Sequence, residues 1–138
     1  MFISPSELST HLYDYQVEQI TGGDASIVLA AISTAQAQVR SYLATRYDCD
    51  AIFAATGSGR DALVLHLVKS LAAYHLVRLA NPDAIYERYR DDYRDAIDTL
   101  TRLSDGTSVA DLPRLQTASG NPAGTLQLQS NQKFKHSY

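Results

Sequence analysis

Cysteine, positive charge and long uninterrupted apolar runs are all scarce in this sequence. Its one cysteine, Cys49, excludes both an internal disulfide and a thiolate metal cluster, because each needs at least two thiols. Asp and Glu number 15 against 12 Lys and Arg, and this acidic balance disfavours a surface built to neutralise phosphates. The most apolar stretch contains Lys69 and Arg78 and therefore does not fit a membrane span. No basic and apolar leader follows Met1, so we expect no secretory signal and a reducing compartment.

The 138 residues fit a single domain with one hydrophobic core. The stretch from Arg60 to Ala80 is apolar around nearly its whole circumference, which predicts a central helix that other helices surround. Four of its residues fall on one narrow strip, and we expect this strip to be the side open to solvent or to a partner subunit: His66, Lys69, Ser70 and Ala73.

Two short helices are predicted before this centre. Ser4-Pro5-Ser6-Glu7 combines a serine cap, an N-terminal proline and a capping-box glutamate, which predicts a helix to about Tyr13. A second short helix covers Asp14 to Ile20 and ends at Thr21-Gly22-Gly23, because the two glycines break regular structure. Together the two helices resemble a small helical lid.

A longer helix then runs from Ala25 to about Arg46, with Asp24 as its cap and small residues on its inner face. Residues 47–59 are predicted to form the longest connection, into which Ile52 and Phe53 tuck against the core. Four residues of the helix are predicted to be ordinary surface positions: Gln36, Gln38, Arg40 and Ser41.

After a tight corner at Asn81-Pro82, the sequence predicts an amphipathic helix from Asp83 to about Ser104, ended by Asp105-Gly106. Helical spacing predicts that its inner face consists of Tyr89, Tyr93, Ala96, Leu100 and Leu103. On the outside, Arg88 with Asp92 and Arg94 with Asp98 are four residues apart and are predicted to form ion pairs. Tyr86 shares a side with Tyr89 and Tyr93, and tyrosines suit a core edge and a subunit interface equally, so both interpretations stay open.

The composition changes after Gly106, which predicts a helical domain over residues 1–106 and a polar, extended C-terminal arm over residues 107–138. Thr125 to Gln129 alternates polar and apolar residues like a short strand, which needs a partner to be stable. The predicted fold is therefore an all-α bundle of two short and three longer helices with an extended tail. The candidate interface residues are Tyr86, Tyr89, Tyr93, Thr125, Leu126, Leu128, Phe134 and Tyr138.

Two loop stretches carry residue types that also occur in functional sites. Asp48-Cys49-Asp50 brings two carboxylates and a thiol together, but successive loop residues seldom converge on one ion, and a solvated loop is favoured. Thr56-Gly57-Ser58-Gly59-Arg60 precedes a helix as an anion cradle does, yet it lacks the lysine and hydroxyl of a nucleotide loop. A hinge or a helix cap is the favoured interpretation.

The histidines give no metal-ligand spacing in the sequence. His66 and His75 are too far apart to share a helix face, and His11 and His136 are remote from both, so surface histidines with satisfied hydrogen bonds are favoured. We assign no catalytic, cofactor-binding or metal-binding residue, and we expect no enzyme and no cofactor.

The order of these features resembles the small head-tail connector proteins of Mu-like bacteriophages and prophages. The resemblance covers residues 1–106 and rests on five stretches: Phe2-Ile3-Ser4-Pro5-Ser6-Glu7-Leu8, Ile20-Thr21, Ser41-Tyr42-Leu43-Ala44-Thr45-Arg46-Tyr47, Ala72-Ala73-Tyr74-His75-Leu76, and Tyr86-Glu87-Arg88-Tyr89 with Ser104-Asp105-Gly106. The chain departs from many relatives at Asp48-Cys49-Asp50-Ala51, where they carry prolines.

The resemblance implies a structural protein of the virion neck, assembled in the bacterial cytoplasm. It implies a homo-oligomeric, dodecameric ring that binds the portal protein and a tail-side neck or tail-completion protein, and through which double-stranded DNA passes without specific binding. The alternative is a small helical DNA-binding regulator that uses residues 5–20 as a helix-turn-helix, although that stretch has no lysine or arginine. A weaker third hypothesis is a phosphate-dependent enzyme that uses Gly57 to Arg60.

Overall fold

A computed structural model describes residues 2–80 and 83–115, without the side chains of residues 83–86. This part of the chain is all-α, as predicted. It contains a 3₁₀ helix and a 3₁₀ turn, Pro5–Thr10 and Gly57–Gly59, and five α-helices: α1 Asp14–Thr21, α2 Ala25–Leu43, α3 Cys49–Ala54, α4 Ala62–Val77 and α5 Asp83–Asp105. The two short N-terminal helices and the three longer helices are confirmed, and α3 is an additional element. The predicted corner at Asn81-Pro82 and the predicted strand at Thr125 to Gln129 lie outside the described residues.

Helix α4 is the centre of the bundle, as its apolar sequence predicts. Leu67, Leu71 and Leu76 are buried, and the helix packs against α2 on one side and α5 on another. Asp61 caps its first turn, because the carboxylate accepts a hydrogen bond from the backbone N–H of Val64 at 2.9 Å. An apolar helix surrounded in this way forms the hydrophobic core of the domain.

The expected open strip of α4 is wrong for half of its residues. Ser70 and Ala73 are buried, at 4% and 1% exposure, whereas His66 is exposed and Lys69 is half-buried. Thr10 and His11 from the N-terminal segment and Arg88, Tyr89 and Asp92 from α5 lie over this side of α4. Sequence spacing alone does not reveal that cover.

Helix α2 presents small residues to its neighbours, as predicted. Ala31 and Ala35 are buried on its inner face, and residues of this size allow α4 to approach closely. Asp24 caps the helix by accepting a hydrogen bond from the backbone N–H of Ser26 at 2.9 Å. The helix ends at Leu43, before the expected Arg46, because the chain turns there toward the C-terminal end of α5.

The prediction of a solvated loop at Asp48-Cys49-Asp50 is wrong, because α3 begins there. The Asp48 carboxylate accepts a hydrogen bond from the backbone N–H of Ala51 at 3.2 Å and so caps the helix. Ile52 is buried, and the Phe53 ring meets the Phe2 ring edge to face at 4.9 Å. The expected packing of this connection against the core is therefore confirmed.

Helix α5 has the predicted amphipathic face. Tyr89, Ala96, Leu100 and Leu103 are buried, and Tyr93 is half-buried. On the solvent side, an ion pair joins Arg102 to Asp98. The two predicted pairs, Arg88 with Asp92 and Arg94 with Asp98, are not formed among the described residues of α5.

Arg46 and Tyr47 tie the end of α5 to the end of α2. The Arg46 guanidinium donates to the backbone oxygens of Ser104 and Asp105, at 3.1 and 3.3 Å, and so satisfies carbonyls that the helix end leaves free. The buried Tyr47 hydroxyl accepts a hydrogen bond from the backbone N–H of Ala110 at 3.1 Å.

The chain after α5 runs back along the corner between α2 and α3. The backbone N–H groups of Asp48 and Leu115 donate to the oxygens of Pro113 and Arg46, at 2.8 and 3.1 Å, around an antiparallel bridge. Residues 107–115 of the predicted arm thus lie against the helical domain.

We predict that Gly106→Ala destabilises the protein by about 1 to 3 kcal/mol. Gly106 has a φ of +84°, and a Cβ there would lie 2.5 Å from Nη2 of Arg46, so the substitution strains the backbone and displaces the helix cap. Urea denaturation measures the change. The control is Gly59→Ala, because Gly59 has ordinary φ and open space around it. Equal stability of the two variants would contradict the prediction.

Candidate functional site

Arg60 is engaged by its own chain. Its guanidinium donates to both Glu7 carboxylate oxygens, Nη2 to Oε1 at 2.7 Å and Nη1 to Oε2 at 3.1 Å, a bidentate pair. It also donates to the backbone oxygens of Phe2 at 2.7 Å and Gly57 at 2.8 Å. The anion that this cradle holds is therefore an internal carboxylate, which ties the N-terminus to the start of α4.

The same contacts set the ionisation of Glu7. The hydrogen bonds from Arg60, followed by one from the Ser4 backbone N–H at 2.8 Å, lower the pKa of Glu7 to about 2. The carboxylate is thus charged throughout the physiological range, and the predicted capping glutamate has a second, long-range partner that the local pattern does not show.

Asp48, Cys49 and Asp50 act separately. Asp48 caps α3, Asp50 pairs with Arg40, and the buried Cys49 thiol donates to the backbone oxygen of Arg40 at 3.6 Å. Burial raises the pKa of the Cys49 thiol, which keeps it protonated and unreactive at neutral pH. The described residues contain no group of three or more His, Cys, Asp or Glu side chains positioned to hold a metal ion.

A polar link joins α2, α4 and α5 at Gln38. Its side chain bonds through Oε1 to Nε2 of His75, and its Nε2 donates to the Tyr93 hydroxyl at 3.2 Å. The prediction that Gln38 is an ordinary surface residue is therefore wrong. Burial, and then the charge of Arg78, lower the pKa of His75, so this link is neutral.

The candidate interface residues fall into three groups. Tyr89 is 5% exposed and belongs to the core of its own chain, whereas Tyr93 is half-buried with its ring 4.1 Å from that of Tyr74. The Tyr86 side chain lies outside the described residues. So do five residues of the arm: Thr125, Leu126, Leu128, Phe134 and Tyr138.

An exposed aromatic and aliphatic surface, which the sequence reasoning missed, lies at the junction of α1 with the end of α4. Tyr13 and Tyr15 are stacked with their centroids 5.7 Å apart and are 64% and 60% exposed, and Leu79 is 63% exposed. Beside them is a cleft of about 260 Å³ lined by Leu12, Tyr15, Gln16, Gln19, Ile20, Val77, Leu79 and Ala80. Aromatic residues with one polar tip are enriched at protein interfaces, which makes this surface a candidate docking site.

A histidine pair lies on another side of α4. Nε2 of His11 is 3.1 Å from Nδ1 of His66, and Nδ1 of His11 is 2.9 Å from Oγ1 of Thr10. Burial, followed by the charges of His66 and Lys69, lowers the pKa of His11. Sequence spacing could not find this pair, because the two histidines are 55 residues apart.

In the part of the chain that the structure describes, polar side chains mainly cap helices and tie segments together. None of the described helices has both the length and the hydropathy needed to cross a membrane. In its described part this is a small all-α protein, and its candidate functional feature is a surface for binding other proteins.

Comparison with known protein families identifies the family of this chain. The family model described as "Bacteriophage Mu, Gp36" matches residues 3–127, nearly the whole chain. The chain therefore belongs to the bacteriophage Mu Gp36 family and is a Mu-like phage protein. No curated protein and no solved structure matches it significantly.

We predict that Glu7→Gln lowers stability at pH 7 by about 1 kcal/mol, because Arg60 loses its charged partner. The folded-state pKa of Glu7 lies below its ordinary value of 4.5, so its contribution is fully present above that value and disappears as pH falls toward about 2. Thermal unfolding from pH 7 to pH 2 measures the difference, which should shrink over this acidic range. The matched control is Glu18→Gln on the exposed side of α1, and a difference that is constant with pH would refute the mechanism.

Proposed function

We propose that this protein is a head-tail connector, a structural protein that forms a ring under the portal of the packaged capsid and joins it to the tail. The observation that carries the proposal is the family match over residues 3–127, which supports a phage structural or morphogenesis protein. The portal protein and a tail-side neck or tail-completion protein are its partners. In this role the protein is not an enzyme, and it resides in the virion neck after assembly in the host cytoplasm.

The surface of α2 supports assembly through subunit contacts. From Ala25 to Val39 the helix has no charged residue, although several of these positions are exposed: Ser26, Leu29, Ala30, Ser33, Thr34 and Ala37. Charged residues are depleted at the centres of protein interfaces, and small side chains permit close helix packing. An exposed helix face of this composition therefore suits side-by-side packing in a ring.

The charge of the protein supports passage of DNA. With 15 Asp and Glu against 12 Lys and Arg, the subunit has no excess of cations with which to displace phosphate counterions. A ring of such subunits would hold duplex DNA weakly and allow it to slide through.

We expect antibody labelling of purified particles to place one label between capsid and tail by negative-stain electron microscopy. Particles that lack the tail serve as a comparison. A connector that stays on the capsid leaves its label on these particles, and a connector that departs with the neck leaves them unlabelled. Intact tailed particles without label, with the protein present only in infected-cell extract, would rule out the connector.

We also predict that the arm contributes to assembly through Leu126 and Leu128, which alternate with glutamines as the residues of one strand face do. Replacing both leucines by serine should reduce ring formation or portal binding, measured by native mass spectrometry and pull-down. The matched control replaces Gln127 and Gln129 by serine and should behave like the wild type. Unchanged assembly after deletion of residues 116–138 would exclude a role for the arm.

The regulator hypothesis makes the opposite prediction for DNA. A regulator should bind duplex DNA tightly in a mobility-shift assay at low salt. For a connector we expect no tight complex, because residues 5–20 carry no lysine or arginine to contact phosphates. Tight binding by the free subunit would favour the regulator over the connector. A nucleotide-induced thermal shift would favour the enzyme hypothesis, although Arg60 is already bound to Glu7.

A further inference from the structure

Two imidazoles from separate elements meet at the surface of α4, and neither the family match nor the connector role uses them. His11 ends the 3₁₀ helix, and His66 lies in the second turn of α4. Their ring centroids are 5.0 Å apart, and the facing nitrogens, Nε2 of His11 and Nδ1 of His66, are 3.1 Å apart. The two nitrogens face each other in a hydrogen bond between the rings, so each ring must turn before both lone pairs can point at one ion.

This separation is close to that of two histidine ligands on one metal ion. Zinc binds histidine nitrogens at about 2.0 to 2.1 Å in tetrahedral geometry, which places two such nitrogens about 3.3 Å apart. The separation of the nitrogens therefore already suits a chelate, and binding replaces the hydrogen bond between the rings and turns each ring toward the ion. A neutral imidazole carries one proton, which moves to its other ring nitrogen when the metal binds, so chelation by two neutral rings requires no net proton release.

The ring nitrogen of His11 that faces away from His66 has a hydrogen-bond partner, as the free nitrogen of a metal-binding histidine usually does. When Nε2 binds a metal, Nδ1 carries the proton, and Nδ1 already lies 2.9 Å from Oγ1 of Thr10. Thr10 is itself held, because its hydroxyl donates to the backbone oxygen of Glu7 at 3.3 Å and accepts from Nζ of Lys69 at 3.3 Å. The tautomer that binding requires therefore has a positioned acceptor.

A cavity of about 360 Å³ adjoins the pair and leaves room for water ligands. His11, His66, Ser70 and Asp92 are among its lining residues, and the charge of Asp92 acts on His11 against that of Lys69. Two nitrogen ligands with open positions favour Zn²⁺, Ni²⁺ or Cu²⁺, whereas Mg²⁺ and Ca²⁺ prefer oxygen ligands.

We propose that His11 and His66 chelate a divalent ion of the Zn²⁺ class and thereby fasten the N-terminal 3₁₀ helix to the central helix. Binding stabilises the folded chain, because the unfolded chain does not hold the two rings together.

Calorimetric titration of the full-length protein with ZnCl₂ tests the proposal. We expect one site in the wild type, and an affinity at least about tenfold lower in His11→Ala and in His66→Ala. The controls are His75→Ala and His136→Ala, which should bind as the wild type does. Absence of binding in the wild type, or binding that survives both ligand substitutions, would overturn the proposal.

Two further measurements separate chelation from a general effect on folding. Zn²⁺ should raise the melting temperature of the wild type but not that of His66→Gln, and chelator should reverse the rise. His66 is exposed, so circular dichroism should show a folded variant. With Cu²⁺, the electron paramagnetic resonance spectrum should show hyperfine coupling to two nitrogens, and coupling to fewer than two would contradict a His11 and His66 chelate.

Discussion

The structure depends on covering the apolar sides of α4. This helix is apolar around most of its circumference, so each neighbour that leaves would expose several large side chains to water at a cost of roughly 1.5 to 3 kcal/mol apiece. Helices α2 and α5 cover two sides and α1 covers a further part, while the N-terminal 3₁₀ helix packs mainly on α2 and α1. The short elements are therefore part of the core, although each alone is too short to be a stable helix.

Two arginines fix the less regular parts of this cover. Arg60 holds the N-terminal segment through Phe2 and Glu7, and Arg46 holds the end of α5 through Ser104 and Asp105. Both guanidiniums donate hydrogen bonds to backbone oxygens, and Arg60 also donates to the Glu7 carboxylate. Without the arginines these oxygens would be unpaired or bonded to water. The arginine fork suits this task, because it presents several donors in a fixed plane.

The local signals in the sequence were sufficient for the helices and their caps. Asp24 and the proline start at Pro5 act within one turn, so the sequence alone predicts them, and the apolar circumference of α4 predicts its central position. Helix α3 was missed, although Asp48 stands three residues before Ala51 as a cap does, because the flanking Gly-Ser-Gly favoured a loop.

What the sequence could not predict are contacts between remote residues. Glu7 and Arg60 are 53 residues apart, and both Gln38 with Tyr93 and His11 with His66 are 55 residues apart. No periodicity connects such positions, since only the packing of whole helices brings them together. The burial of Ser70 has the same origin, because it depends on which neighbour crosses above it.

The positions of Leu115 and of the Tyr13 and Tyr15 pair give the subunit a direction. Leu115 is held beside Arg46, where α2 and α5 both terminate, while the exposed pair Tyr13 and Tyr15 lies beside the end of α4, near which α5 begins. At 1.5 Å per residue, α5 separates these two ends by about 34 Å. Copies arranged side by side in the same orientation would therefore display two different rims, one with Tyr13 and Tyr15 and one with Arg46 and Leu115. Such an assembly could distinguish what binds above it from what binds below it.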